Sequence, residues 1–352
     1  MSPTSFGPRT PLLYFPDNLP EVIRHLSLRA YGSYENFPSL SDMPSDVVGL
    51  LVERLDYKEQ QLLRHVSKSL RSLIDTSKPR LQSISLTWTP EEVWAKFDQQ
   101  TVVYTGPAPE RWPEDDRKYD DADAKVIRDL DFEDLALEDL KLALKNPKLR
   151  LDSLRIRGFG IHGGLWIQKI QKILDSFKIS VRTLETTPAA LPSILPYLKP
   201  APLHTIRIFE AYDDPAGIQN LNLTTLLALE QWKQAEKFSL SNMFDNGFPM
   251  QLAAHFRRFF VKEHELDVQK FEMIRDYFSK LANFEYCHIS YQKIHDFAGI
   301  VKSAGTQKPD SNFVCHYRIP DNPKYFFEFK IPAEKYCIII EKKERKRQLR
   351  RG

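Results

Sequence analysis

Six short strings with strand-like composition recur between residues 153 and 289, and they limit the possible folds of this sequence more than any other feature. They are SLRI at 153, RTLE at 182, TIRI at 205, KFSL at 237, RFFV at 258 and YCHI at 286. Helical patterns separate most of them, and successive strings end 29, 23, 32, 21 and 28 residues apart. Each interval is about the length of one strand plus one helix. The spacing therefore predicts an α/β domain of repeated strand and helix units.

Stacked units of this kind are typical of leucine-rich-repeat-like domains, in which each unit buries its apolar side against its neighbours. The period is irregular, so we predict a degenerate repeat, with a doubly wound α/β domain as the alternative. Three further strings, NFVCHYRI, KYFFEFKI and KYCIIIE, are separated by turns that contain Pro320, Pro323 and Pro332. They predict an antiparallel meander at the end of the domain.

The repeated strings also predict a binding surface. If the strands form one sheet, alternate residues on each strand face the same way. One set should point into the core: Leu154, Ile156, Ile206, Ile208, Phe238 and Leu240. The other set, one residue per strand, is the predicted substrate-binding row: Arg155, Arg207, Ser239, Phe260 and His288. Arg and aromatic side chains often anchor protein interfaces. The alternative is that the row merely faces solvent.

The stretch from Leu40 to Asp75 predicts a second, smaller module. Its apolar residues recur at helical spacing in three groups: Val47, Val48, Leu51 and Leu55; then Leu62, Leu63 and Val66; then Leu70, Leu73 and Ile74. Pro44 suits the first helical position, where a missing N–H is tolerated. Helices this short are not stable alone, so the three must pack together or against another domain. An ordinary helical hairpin that caps a larger domain is the alternative.

The sequence of residues 81–150 predicts strands and helices that connect the small helical module to the repeated domain. LQSISLTW and TVVYTG read as strands, while Thr89 and Glu92 match a capping box that predicts a helix carrying Val93, Trp94 and Phe97. From Glu114 to Asp139 there are twelve Asp or Glu against four Lys or Arg. This acidic segment should end in a helix capped by Asp131, with one apolar side formed by Leu137, Leu140 and Leu144. It is either a patch for a basic partner or a solvated exterior.

Several classes of function lack support. Gly158, Gly160 and Gly163 match a dinucleotide-binding motif, with Glu185 near the position of a ribose-binding acid. The preceding strand alternates charged and apolar residues, however, whereas the first strand of such a domain is buried on both faces. A glycine turn is the simpler interpretation. The nine His residues and the Cys residues Cys287, Cys315 and Cys337 show no metal-ligand spacing. We expect no catalytic residue, no cofactor and no metal.

The apolar runs, the N-terminal stretch and the charge distribution of the sequence predict where the protein is located in the cell. The sequence has no run of eighteen apolar residues and no secretory signal at its N-terminus. Residues 341–352 hold seven Lys or Arg and two Glu, a charge of +5, so the rest of the chain carries −2 of the total of +3 (3 − 5). We expect a cytoplasmic protein that binds neither membrane nor nucleic acid. For the tail itself three alternatives stay open: a nuclear import signal, a contact for nucleic acid, or a solvated, disordered end.

The Leu40–Asp75 stretch resembles an F-box. Met43 and Pro44 stand where the family has Leu-Pro, and LLRHVSKSLRSLI stands where it has a leucine-rich run, although Ser67 replaces the usual Cys and Leu70 the usual Trp. The resemblance implies a docking module for the Skp-type adaptor of cullin-RING ubiquitin ligases. It places seven residues on the adaptor-facing surface: Met43, Pro44, Val47, Leu51, Leu55, Leu62 and Val66.

The region from about residue 150 to 340 resembles a second family. The strings ILPYLKP, LEQWKQAEKFSL, HFRRFFV, IRDYFSKLANFEYCHI and CHYRIPDNPKYFFEF are similar to the FTH domain that follows the F-box in the nematode F-box A family. This resemblance implies a domain that binds protein substrates and has no catalytic residues. Together the two imply a substrate-recognition adaptor of a Skp/cullin/F-box ligase. A non-ligase interaction scaffold is the alternative, and a nucleotide-binding enzyme is a more distant one.

The expected organisation has five parts. They are a flexible arm at 1–38, the three-helix module at 39–80, the strand and helix connection at 81–150, the substrate-binding domain at 151–340 and the basic tail at 341–352. The arm is rich in Pro and Ser around one short apolar patch, so we assign it no chemistry.

Overall fold

The structure is a computed structural model, and it describes most of the chain. The described residues are 44–55, 57–77, 79–107, 125–158, 163–209, 222–241, 243, 248–307, 314–332 and 336–345. They form two compact units. The first unit contains the described residues up to Arg155 together with Gln168–Ile179, and the second contains Ile156–Ile167 together with the described residues from Ser180 onward. No helix within the described ranges has the length and hydropathy needed to span a membrane.

Three helices open the first unit: α1 (Ser45–Val52), α2 (Tyr57–Val66) and α3 (Lys68–Thr76). Their apolar sides form a shared core of Val48, Val52, Leu55, Leu63, Leu70 and Ile74. The buried amide of Gln60 donates to the carbonyl of Val52 at 2.9 Å, which satisfies an acceptor at the end of α1. Arg64 forms a bidentate ion pair with Asp75, at 2.7 and 3.1 Å, that joins α2 to α3.

A small sheet and one helix follow the three helices in this unit. The strands are β1 (Ser83–Trp88), β2 (Glu92–Phe97), β3 (Gln100–Thr105) and β4 (Lys125–Arg128). β1, β2 and β3 are antiparallel, and β4 is parallel to β3. Helix α4 (Phe132–Leu144) packs on β2 and β3, where the hydroxyl of Tyr104 donates to the buried carboxylate of Asp139. Asp131 is at the N-cap position of α4, but its side chain makes no capping hydrogen bond.

The helix predicted after Thr89 is wrong, because the residues from Glu92 to Phe97 form β2. The Thr89 hydroxyl accepts a hydrogen bond from the Glu92 N–H and donates to the Glu92 carbonyl, each at 3.1 Å, so it closes a hairpin turn and does not cap a helix. Val93, Ala95 and Phe97 are buried and alternate with less buried residues. This period of two is the strand pattern, and it outweighs the capping motif.

The second unit contains a run of parallel strands with helices between them. Strand β5 (Arg150–Gly158) and helix α5 (Gly163–Phe177) extend from one unit into the other, and the strands that follow are β6 (Ser180–Thr186), β7 (Thr205–Ile208), β8 (Lys237–Leu240), β9 (Arg258–Leu266) and β10 (Tyr286–Ile294). β6 to β10 are all parallel and lie side by side in chain order. A doubly wound sheet would reverse its strand order, so this order argues against that alternative.

Short helical segments connect these strands. They are α6 (Leu191–Ile194) with the 3₁₀ turn Leu195–Tyr197, α7 (Leu223–Ala228), α8 (Glu230–Gln234), the 3₁₀ turn Met250–Ala253 and α9 (Val268–Ser279). All six predicted strand strings lie in β5 to β10, and the six residues predicted to point into the core are each no more than 3% exposed. The prediction of these strands is therefore confirmed.

Helix α10 (Phe297–Ser303) and four strands end the second unit: β11 (Thr306–Gln307), β12 (Val314–Arg318), β13 (Tyr325–Lys330) and β14 (Cys337–Glu344). β11 to β14 are antiparallel neighbours, and β14 also pairs antiparallel with β10, so the predicted meander is confirmed. The predicted start of the basic tail at 341 is wrong. Glu341 pairs with Tyr286 inside the sheet, and the strand continues to Glu344.

Several predicted features lie outside the described residues. They are the N-terminal arm, the acidic segment before residue 125, Gly160 of the glycine motif, and the tail beyond residue 345. Their predictions stay untested.

Candidate functional site

Helix α1 has apolar residues on two sides. Val48 and Val52 face the core of the first three helices, while Val47, Leu50 and Leu51 are 41%, 63% and 37% exposed. Residues three and four apart lie next to each other on a helix, so these three exposed side chains share one side of α1. Ser45 and Pro44, at the start of the helix, are exposed as well. The result is an apolar surface on a helix that is already packed on its opposite side.

The structure tests where the predicted adaptor-binding residues lie. Pro44 is the N-cap of α1, one position before the first helical position that was predicted for it. Val66, at the end of α2, is 48% exposed. Leu55 is only 5% exposed, so its predicted place on the surface is wrong. α1 ends at Val52 and the chain turns, with the Leu55 N–H bonded to the Val52 carbonyl at 3.3 Å, which places Leu55 in the core.

The adaptor-facing positions of two other residues stay predictions. Met43 lies outside the described residues, as does the side chain of Leu62. Leu50 was not predicted, although its spacing from Val47 could have indicated it. The exposed residues of the predicted set, together with Leu50, are named the adaptor surface after that prediction: Pro44, Val47, Leu50, Leu51 and Val66.

The two departures from the usual F-box pattern have structural roles. Ser67 is the N-cap of α3, and its hydroxyl accepts the N–H of Leu70 at 3.2 Å. Such a cap is worth about 1 kcal/mol to the helix. Leu70 itself is buried in the three-helix core. Both residues therefore support the helices.

The three helices are held to the rest of the first unit by hydrogen bonds at the end of α3. Asn146 donates from its amide to the carbonyls of Asp75 and Ser77, at 3.2 and 3.1 Å. Lys148 donates to the Thr76 carbonyl at 2.6 Å. These bonds satisfy the last carbonyls of α3, and they connect the helix to the loop that follows α4.

Four of the five residues predicted for substrate binding form a continuous row in the second unit. Cross-strand pairing sets Arg207 of β7 opposite Ser239 of β8, Ser239 opposite Phe260 of β9, and Phe260 opposite His288 of β10. We call these four residues the open row. Arg155 lies in the first unit, on β5, where its side chain is half-buried. The row is thus placed in register as predicted, but its role is not shown by this geometry.

The members of the open row differ in how freely they could meet a partner. The rings of Phe260 and His288 meet edge to face with centroids 4.9 Å apart, and both residues are half-buried. Burial lowers the pKa of His288, which favours its neutral form. Arg207 is half exposed but already bonded, because its guanidinium lies 2.8 Å from the buried carboxylate of Glu185. Phe260, His288 and Ser239 are therefore the more available residues.

The glycine motif has a packing explanation. A Cβ atom added at Gly158 would lie 1.9 Å from the indole ring of Trp166, which is buried. Glycine is required there because the tryptophan of α5 lies directly against the backbone of β5. Glu185, the residue considered as a ribose-binding acid, forms the ion pair with Arg207. These contacts account for Gly158 and Glu185, while Gly163 is the first residue of α5 and Gly160 lies outside the described residues.

Metal and thiol chemistry find no support in the described part of the chain. No group of three His, Cys, Asp or Glu side chains there is arranged to hold a metal ion. Cys287, Cys315 and Cys337 are buried and form no disulfide with one another, and burial raises the pKa of the Cys287 and Cys315 thiols. A buried thiol with a raised pKa is a poor nucleophile.

Comparison with known proteins fits these two regions. The F-box family model matches residues 40–82, which include α1 to α3, and the FTH family model matches residues 165–302, which include β6 to β10. The chain therefore has an F-box domain followed by an FTH domain. It is similar to the F-box A protein 224 of Caenorhabditis elegans, with 23% identity over 300 residues. That match covers 82% of this chain and 76% of the relative.

Proposed function

We propose that this chain is a substrate-recognition subunit of a Skp/cullin/F-box ubiquitin ligase. In this proposal the F-box domain binds the Skp-type adaptor, the second unit binds a protein target, and the chain has no catalytic residues of its own. The observation that carries it is the exposed apolar side of α1. A helix at a protein surface usually has a polar outer side, so an F-box helix that exposes Val47, Leu50 and Leu51 indicates a partner that covers them.

The open row is our candidate for the target-binding surface. The parallel strands in chain order support a leucine-rich-repeat-like arrangement, in which neighbouring units present equivalent residues side by side. Within the row, Phe260 and His288 offer a rigid aromatic pair and Ser239 a hydroxyl. Aromatic side chains contribute large contact areas at protein interfaces. The target would be a protein, and no cofactor is involved.

Co-purification with a Skp-type adaptor tests the first half of the proposal. Val47→Asp and Leu51→Asp together should abolish the complex, because each places a charge in a contact that must be apolar. The matched control is Leu165→Asp on α5 with Met273→Asp on α9, which adds the same two charges at exposed apolar residues outside the F-box. The control should bind the adaptor normally. A double variant that still co-purifies would refute the adaptor surface, and a wild-type chain that never binds would favour a non-ligase scaffold.

The target surface needs variants that spare the fold. Reversing the charge of Arg207 would leave the buried Glu185 carboxylate facing a second negative charge, so a loss of binding could reflect unfolding. We would instead change Phe260→Ala and His288→Ala together, with Lys302→Ala on α10 as the control. The assay compares the ubiquitinated proteins that each chain captures, quantified by mass spectrometry. Selective loss of specific targets with the adaptor complex intact supports the row, and an unchanged set rejects it.

A further inference from the structure

The second unit has an open groove at the N-terminal ends of β9 and β10 and the C-terminal end of β14. Its volume is about 860 Å³. Six charged residues line it: Arg257, Arg258, Glu285, Glu341, Lys342 and Lys343. We call this the basic groove, because its four cations exceed its two carboxylates by a charge of +2 (4 − 2). This volume lies within the range of about 300–1,000 Å³ that is usual for ligand-binding pockets in proteins.

Both carboxylates of the basic groove are already paired. Glu285 accepts from Arg257, with one contact at 3.0 Å. Glu341 pairs with Lys343 at 2.6 Å and with Lys330, outside the groove lining, at 3.2 Å. Arg258 and Lys342 remain, and neither has a carboxylate within ion-pair distance among the residues that the structure describes. The excess charge of the groove therefore resides on these two side chains.

Arg258 and Lys342 have only partial compensation. The guanidinium of Arg258 lies 5.1 Å from the ring centre of Tyr286, and the ammonium of Lys342 lies 5.3 Å from that of Tyr325. Lys342 also donates to the carbonyl of Ala282 at 2.9 Å. An aromatic face attracts a cation but carries no net charge. Burial lowers the pKa of Lys342, against a smaller opposite effect of Glu285, as expected for an ammonium that lacks a full counter-charge.

We propose that the basic groove binds an acidic segment of a partner polypeptide, whose carboxylates pair with Arg258 and Lys342. The inference rests on the proposed role of the second unit in target binding, and it adds the chemistry of the target. A nucleic acid carries a charge at every phosphate, whereas only two cations of the groove lack a carboxylate partner among the described residues. A peptide can instead place its acids near the two free cations, while Asn283 and Asn322 at the groove offer amides to its backbone.

The test measures direct binding to the full chain, purified with and without the adaptor. The probe is a fluorescein-labelled peptide of eight glutamates, and binding is followed by anisotropy. Replacing both cations, Arg258→Gln and Lys342→Gln, should weaken binding about tenfold or more, and added salt should weaken the wild-type complex. The matched control, Lys199→Gln with Lys302→Gln, removes the same charge from exposed sites of the same unit and should change affinity little.

Each outcome bears on the proposal. Equal affinity of the groove variant and the wild type would refute it, as would an equal loss in the control variant, which would indicate a general charge effect. Full displacement of the peptide by millimolar inorganic phosphate would point to a phosphate site and overturn the assignment to a peptide. Thermal melting checks that the variants fold, and the single variant Lys342→Gln should show an intermediate loss. Peptide binding without adaptor binding would sustain the groove and reject the ligase role.

Discussion

A matched pair of substitutions, Leu51→Ala and Leu55→Ala, separates the proposed docking role of the F-box helices from their stability. The two residues are four positions apart and lose the same atoms, but Leu51 is 37% exposed and Leu55 only 5% exposed within the three-helix core. Loss of a buried leucine side chain costs about 2–5 kcal/mol. An exposed one away from special features costs less than about 0.5 kcal/mol.

These costs translate into measurable shifts. A loss of 1 kcal/mol lowers the melting temperature by about 2–4 °C in a domain of 150–250 residues. Leu55→Ala should therefore lower the melting temperature of the first unit by roughly 4–20 °C. Leu51→Ala should hardly change it. In adaptor binding the order should reverse at temperatures where both chains are folded, because a lost contact of about 1–2 kcal/mol weakens the complex by roughly 5–30-fold.

Two measurements separate the effects of Leu51→Ala and Leu55→Ala on stability from their effects on adaptor binding. Circular dichroism during heating reports the stability, and a titration with purified Skp-type adaptor well below the melting temperature reports the affinity. A Leu55→Ala chain that melts like the wild type but fails to bind would show that Leu55 contacts the adaptor, and would refute the assignment of Leu55 to the core. Equal effects of both substitutions in both assays would also refute the assignment of Leu51 to the docking side of α1 and of Leu55 to the core.

Two further predictions concern the second unit and the strand that leads into it. Gly158→Ala should destabilise the chain by about 1–3 kcal/mol, because its Cβ would overlap the Trp166 ring. Trp166→Leu in the same chain should relieve part of that cost, and a double-mutant cycle of urea unfolding measures the relief. Purely additive effects would reject the packing explanation. The lowered pKa of His288 predicts that its contribution to stability is complete above the pKa of a histidine in the unfolded chain, about 6.5, and is lost as the pH falls through the folded pKa. Between pH 7.5 and 5, the His288→Phe variant should therefore lose less stability than the wild type. Equal losses of stability would reject this prediction.

The strands and their faces could be predicted from the sequence because alternation is a local property. Ile206 and Phe238, for example, are apolar between polar neighbours, and that pattern alone assigns them to the buried side of a strand. The helices of the F-box domain follow from local spacing in the same way. Register between strands was also predictable in outline, since strands that repeat with similar flanking helices place equivalent residues side by side, as Ser239 and Phe260 show.

Local patterns failed where a residue's partner is distant in the sequence. Thr89 and Glu92 match a helix cap, but pairing of β2 with β1 and β3 decides that the segment is a strand. Leu55 has the helical spacing of a surface residue, yet the turn after α1 carries it into the core. The basic groove has no sequence signature at all.

The basic groove shows why local sequence patterns cannot predict such a site. Arg258 and Lys342 are 84 residues apart, and each is an ordinary charged residue within its own string. Only the tertiary structure brings their strands together, and only there do Arg257 and Lys343 occupy the two nearby carboxylates. The sequence by itself determined which residues are apolar, charged or turn-forming, and hence the elements. Which charges remain without a partner depends on distances across the fold, because an ion pair is defined by separation in space and not along the chain.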